Sequence, residues 1–356
     1  MIYFDLSRTK NAKHHSGLTR VSNRLAREFG SAVQPVAIAV PGRGPAECAA
    51  AFQPKVDDWW LTAELFSEHE CPGMWKFIRE RPCKLAAIFH DAIPLRFPHT
   101  TWPQSVARQP EYMKMLAEFD FVFADSEVSR QDLLSFWRWQ NVEPRATVET
   151  LPLGSDFSGQ SRVQRPADKN RSGLLCIGIL EPRKNQAFLL DVCERLWREN
   201  IVFDLHLIGR VNPHFGKPVL QKIEAMRQQW RGLHFHAAAN DAVVTSLYGK
   251  VRASVFPTVA EGCGLPLLEA LWQGIPCICS DLPVLRENTE GGGCLAVPVD
   301  DLEAWAAALQ RVLTDDAFYS GLVDQAIARP LPLWSETAKT ILGRLAASNC
   351  GTSSQS

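Results

Sequence analysis

The 356-residue chain lacks most of the compact signatures that mark a site. Its ten cysteines form no C-x-x-C pair, which excludes a zinc knuckle or a thioredoxin-type dithiol. No H-E-x-x-H and no D-x-D occurs, so nothing in the sequence supports a metal-dependent mechanism. G-x-G-x-x-G is missing, which removes the dinucleotide fingerprint. "GRVNPHFGK" (209–217) spaces its glycines too widely for a P-loop and has no Ser or Thr after Lys217. A net charge of -1 leaves no basic excess for nucleic acid. No apolar run is as long as a membrane span, and "MIYFDLSRTK" is too short and polar for a signal peptide. Together these absences predict a cytoplasmic protein whose cysteines are small core residues of a reducing compartment.

What is present is a rhythm. Short apolar runs alternate with longer amphipathic ones, the pattern of βα units and a largely parallel sheet. "MIYFDLS" reads as a strand, and 17–29 as a helix with Leu18, Val21, Leu25 and Phe29 at helical spacing. Further strands are expected at 32–40, 84–90, 121–126 and 146–153. The polar stretch "GSDFSGQSRVQRPADKNRS" (154–172) reads as a linker. A second series follows, with strands at 173–180, 203–209, 233–238, 253–258 and 276–280. The expected organisation is an N-terminal Rossmann-like domain over 1–155, a C-terminal one over 172–330, a last helix over 331–348 and a disordered tail over 349–356. Length alone suits two such domains.

In open α/β sheets, ligands bind where the carboxyl ends of strands run into loops. Four loops there carry charge or glycine. In "GILEPRKNQ" (178–186), Arg183 and Lys184 precede Asn185, an expected N-cap, and two cations beside a helix N-terminus suit a diphosphate. The bland reading is a solvated loop. "PTVAEGCGLPLLEALWQGIPCICSD" (257–281) holds Glu261 in a loop and Glu269 one turn into a helix that Pro266 helps to start. Gly262 and Gly264 would let the backbone approach a phosphate. The bland reading makes Glu261 a cap and Glu269 an ordinary helix glutamate, but "PLLEALWQG" is otherwise apolar and a buried carboxylate needs a partner. "FHDAIPLRFP" (89–98) places His90 and Asp91 at a strand end, and "KHHSGLTRVSN" (13–23) places Gly17 at a helix start.

Taken in order, "SGLTRV", "FHDAIPLRFP", "FADSEVSRQDL", "PLG", "GILEPRKN", "HLIGR" and the stretch 257–281 resemble the retaining glycosyltransferases of family GT4, with Glu261 and Glu269 matching its E-x7-E motif. The resemblance implies the GT-B fold: two facing Rossmann-like doubly wound domains and a C-terminal helix crossing back to the first. It implies that Arg183 and Lys184 bind the donor diphosphate and that Glu261 contacts the transferred sugar. Glu269 would hold the ribose. Gly178, Gly262, Cys263, Gly264 and Leu265 would line the donor, with Gly17 near the diphosphate and His90 near the sugar.

It further implies retention through an oxocarbenium-like transition state, with no cofactor or metal and with the diphosphate accepting the proton. The expected co-substrates are a nucleotide diphosphate sugar, with GDP-mannose the first candidate, and a glycan or lipid-linked acceptor of bacterial surface-polysaccharide assembly. Peripheral contact with the inner face of the membrane stays open through "DLLSFWRWQ" (132–140), although a core helix is the more ordinary reading of that spacing. The stretch 43–81, with Trp59, Trp60 and Trp75, is expected to shape the acceptor site. Rival readings are an inactive scaffold on this fold, a GT-B epimerase and a glycosidase; the last would have no need of Arg183 and Lys184.

Overall fold

The computed structural model describes residues 1–9, 17–40, 42, 45, 52–156, 159–237 and 239–350. It divides into two compact units, Met1–Gly154 with Pro332–Ser356, and Ser155–Leu331.

The first unit holds a six-stranded parallel sheet in the order β2-β1-β3-β4-β5-β6. Its strands are β1 (Ile2–Asp5), β2 (Gln34–Val36), β3 (Trp59–Thr62), β4 (Lys84–Phe89), β5 (Phe121–Ala124) and β6 (Thr147–Thr150). β3, β4 and β5 are near-continuous apolar runs because helices cover both sheet faces. The helix α1 (Gly17–Phe29) turns Val21, Leu25 and Phe29 inward. Then come α2 (Met74–Glu80), α3 (Ile93–Arg96), α4 (Pro103–Ala117) and α5 (Glu127–Trp139). The last helix of the chain, α13 (Trp334–Cys350), packs against α1. Thr337 Oγ1 donates to the Pro152 carbonyl at 2.8 Å, and Arg344 pairs with Glu149 at 2.9 Å. Residues 351–356 of the expected tail lie outside the described residues.

One expectation fails here. Trp59 and Trp60 do not shape an acceptor site: they form β3, are 2% and 0% exposed, and fill the core. Trp75 is half-buried, its indole N–H donating to Glu111. On α5, Phe136 and Trp137 are buried, and only Trp139 projects, at 74% exposure. Among the described residues no helix is long and apolar enough to cross a membrane.

The second unit repeats the architecture, with strand order β12-β11-β10-β7-β8-β9, all parallel. The strands are β7 (Gly173–Ile177), β8 (Asp204–Ile208), β9 (Leu233–His236), β10 (Val251–Phe256), β11 (Cys277–Ser280) and β12 (Cys294–Val297). Between them run α6 (Gln186–Arg198), α7 (Lys217–Gln229), α8 (Asp241–Tyr248), α9 (Leu265–Trp272) and α10 (Pro283–Thr289), followed by α11 (Leu302–Thr314) and α12 (Asp316–Ala328). Leu189, Val192, Leu196, Ile223, Trp305 and Leu309 pack onto one sheet face. Of the cysteines here, Cys176, Cys193, Cys263, Cys277 and Cys279 are buried free thiols. The polar stretch read as a linker is held against this unit. Val163 N donates to Trp272 O, the Trp272 indole to Gln160 O, and Arg162 to Ala326 O.

The strand orders decide where ligands go. In the second unit the chain steps outward through β7, β8 and β9, then returns to lay β10 on the other side of β7. The loops after β7 and β10 leave in opposite directions and open a crevice at the strands' carboxyl ends. The equivalent switch in the first unit lies between β1 and β3.

Candidate donor site

The loop after β7 is stitched to its neighbour before it reaches the cations. Gly178 N donates to Ile208 O, Leu180 N to Arg210 O, and Asn212 N to Leu180 O. Gly209 is required there, since a Cβ would lie 1.9 Å from the Gly178 carbonyl oxygen. Pro182–Lys184 then forms a single 3-10 turn. Asn185 stands at the N-cap position of α6 as expected, but its side chain makes no capping hydrogen bond. It adopts a left-handed conformation (φ 56°) and sends its amide to Asp300 at 2.7 Å.

The Lys184 stem runs across Gly178, and its Nζ meets Glu261 Oε1 at 2.5 Å. Arg183 reaches the same oxygen at 3.3 Å and donates to Glu181 at 2.9 Å and to the Ala260 carbonyl at 2.8 Å. The Thr258 hydroxyl lies 2.7 Å from Glu261 Oε1. Asn212 donates to the far oxygen of Glu181 at 3.1 Å. Two cations and two carboxylates therefore make a neutral cluster joining the β7 and β10 loops at the switch point. Burial opposes the Glu261 charge, but Lys184 and Arg183 outweigh it and hold the carboxyl below the usual glutamate value. Burial lowers the Lys184 value, with Glu261 opposing in part.

After Glu261 the chain turns through Gly262, Cys263 and Gly264 into α9. Gly264 has φ 86°, and a Cβ there would lie 2.6 Å from Leu285 Cδ2, so both conformation and space ask for glycine. Asn288 fixes the loop by donating to Cys263 O at 2.7 Å. Leu265 and Pro266 open α9, and Glu269 is buried on it, 5% exposed. The structure thus brings Gly178, Arg183, Lys184 and Glu261 together, and places Gly262–Leu265 and Glu269 on the segment directly after. Glu181 and Thr258 were missed from sequence. Both lie at strand ends, inside stretches already singled out, so the same rule could have found them.

Gly17 and His90 belong to the first unit. Gly17 begins α1 and is exposed; residues 10–16 of its loop lie outside the described residues. His90 ends β4 in the interior, with Nε2 3.0 Å from Ala63 O and Nδ1 3.4 Å from Asp125 Oδ2. Burial opposes its charge, but Asp125 outweighs it and raises the value above that of an ordinary histidine. At the β1/β3 switch, fully buried Asp5 accepts from Ser7 Oγ, Ile38 N and Thr62 Oγ1 at 2.5, 3.0 and 3.3 Å. Burial still pushes its carboxyl up to about 6.

That value has a consequence for stability. Asp5 titrates near 3.8 when unfolded and near 6 when folded, so its contribution is complete below the first value and lost as pH rises through the second. Relative to Asp5→Asn, the wild type should lose stability between pH 4 and pH 7, by roughly 3 kcal/mol at most. Urea titrations of both proteins across that range measure it; a difference independent of pH would refute the buried neutral carboxyl.

Residues 171–315, within the second unit, match the family described as Glycosyl transferases group 1. The chain is 28% identical over 241 residues to the serotype-specific mannosyltransferase WbdA of Escherichia coli, covering 64% of this chain and 29% of that protein. It is 31% identical over 176 residues to the O-antigen chain mannosyltransferase B of Escherichia coli, covering 49% of this chain and 43% of that one. The chain therefore spans less than half the length of either relative. Among solved structures, sucrose-phosphate synthase from Thermosynechococcus elongatus matches with a TM-score of 0.76 at 17% identity, over 99% of both chains. The fold is that of the GT-B glycosyltransferases.

Proposed function

We infer that this chain, whose residues 171–315 match the family described as Glycosyl transferases group 1, transfers a hexose, mannose first, from a nucleotide diphosphate sugar. The acceptor proposed is a glycan or lipid-linked saccharide of O-antigen-type polysaccharide, on the strength of the two mannosyltransferase relatives. GDP-mannose is the first candidate donor. The observation that carries the reading is the Arg183–Lys184–Glu261 cluster at the switch point of the second unit.

The chemistry proposed is as follows. The bond between the sugar's anomeric carbon and the diphosphate oxygen breaks, and the acceptor hydroxyl forms its new bond to that carbon on the same face. The hydroxyl proton passes to the departing diphosphate. Arg183 and Lys184 stabilise charge that grows on the leaving oxygen, donating from fixed positions in a partly dry site. Glu261 is offset by them. Its Oε2 accepts no hydrogen bond among the described residues, so it is open to a sugar hydroxyl. Glu269 accepts from the ribose, and Gly178 and Gly262–Leu265 give the donor close backbone approach. In the first unit, His90 keeps both ring nitrogens on Ala63 and Asp125, which suits it to holding its own loop in place. No metal or cofactor enters this scheme.

The test is a thermal-shift panel of GDP, UDP, ADP, dTDP and their sugar derivatives, followed by product analysis. A ligand at a hundred times its Kd adds about 2.7 kcal/mol to stability, enough for a clear rise in Tm. One nucleotide family should stand out, and its sugar should appear on an acceptor with the anomeric configuration of the donor, in the presence of EDTA. No response to any nucleotide would favour an inactive scaffold instead, and an inverted product would remove the same-face mechanism.

A further inference from the structure

β8 and the edge strand β9 lie in register with His206 opposite His234, and Ile208 opposite His236. Side chains alternate across a sheet, so Asp204 and His206 on β8 and His234 and His236 on β9 share one face. The intervening Leu205, Leu207 and Leu233 point the other way into the core, with Phe235 packed against it. Three imidazoles are thus gathered beside a carboxylate. The His206 and His234 rings stack at 4.7 Å, and His206 Nδ1 lies 3.3 Å from His236 Nε2. His234 Nε2 lies 3.0 Å from Asp204 Oδ1. The side chains of His234 and Asp204 are accessible to solvent, at 39% and 51%.

We propose that Asp204, His206 and His234 form a binding site for a zinc-class divalent metal ion, distinct from the donor site. The ligand atoms of these three lie within 4.8 Å of one another, and the edges of a zinc tetrahedron with nitrogen and oxygen ligands measure about 3.4 Å. Small rotations of accessible side chains close that difference. The ligand set, two imidazoles and one carboxylate with a position left for water, is of the borderline kind that such ions take. His236 lies against His206 Nδ1, where an outer partner orients a ligating ring. The positive charges of Lys250, near His206, and Arg227, near His236, oppose a bound cation, and Asp204 supplies the compensating negative charge. A metal here would tie the edge strand of the second unit to its neighbour.

The site is tested on the full chain after chelator treatment, by calorimetric titration with ZnCl2 and by visible absorption with CoCl2. The wild type should take up one ion per chain, with the intense visible bands of four-coordinate cobalt. His234→Gln and Asp204→Asn, both at accessible positions and checked for an intact fold by circular dichroism, should each bind at least about tenfold more weakly. Absence of saturable uptake by the wild type overturns the proposal, and so does unchanged affinity in either variant. The cobalt spectrum decides without a variant should one fail to fold, six-coordinate weak bands counting against the site. None of these readouts depends on sugar transfer, so the donor-site reading stands or falls separately.

Discussion

Lys184→Ala is expected to lower kcat/KM for sugar transfer by about 100- to 1,000-fold, the usual cost of removing one preorganised donor from a developing anion. Nζ is positioned by the stem crossing Gly178 and by Glu261, so the ammonium needs no reorganisation as the leaving group departs. The same change leaves buried Glu261 with Arg183 and Thr258 alone, and breaking a buried pair costs about 3–5 kcal/mol. Lys184→Ala with Glu261→Ala removes both charges and separates the two effects: it should recover stability while transfer stays lost. Glu261→Gln tests the other half of the pair. It frees Lys184 and Arg183 from their internal anion, so nucleoside diphosphate should bind at least as tightly as in the wild type while transfer falls. Initial rates with calorimetry on the four proteins settle the matter. Transfer at the wild-type rate in a folded Lys184→Ala would remove this lysine from the mechanism.

The second large effect concerns the first unit. Trp60→Ala should cost about 3–5 kcal/mol, the range for deleting a large aromatic from a close-packed core. Trp60 is completely buried on β3, edge-on to Phe77 at 5.3 Å and within 6.0 Å of Phe66 and Phe119. Its indole N–H has no hydrogen-bond partner among the described residues, so packing is what it contributes. Trp60→Phe, which discards the N–H and keeps a ring, should therefore lose much less than Trp60→Ala. Urea unfolding followed by circular dichroism compares them, with the transition of the first unit the one to move. Equal losses would show that the indole finds a partner after all.

That tryptophan also shows what could not be read from the chain. Helix α1 was legible to the residue because four apolar positions at helical spacing leave little choice. The strands around it were legible as runs, though several were drawn long, by one to six residues. β3 was not found: "WWLT" is a four-residue apolar run among acidic and irregular neighbours, and tryptophan serves a core and a binding surface equally well. β12 was passed over for a similar reason, being four residues behind three glycines. The stretch 154–172 looked like a linker because its polarity was visible and its backbone partners, on Trp272 and Ala326, were not. At the site, Arg183, Lys184 and Glu261 were legible from strand-end placement. Their mutual neutralisation was not, because it depends on β10 lying beside β7, a fact of topology that no local spacing carries.

The docking of α13 on α1 bears on how the molecule is made. The helix that covers α1 follows the whole of the second unit in the chain, so on a ribosome the first unit would wait for it through the synthesis of residues 155–331. During that interval the α1 surface stays bare, and the unit that begins folding first is the one completed last. Its final closure is a contact between segments far apart in order of emergence, with the second unit free to condense in between.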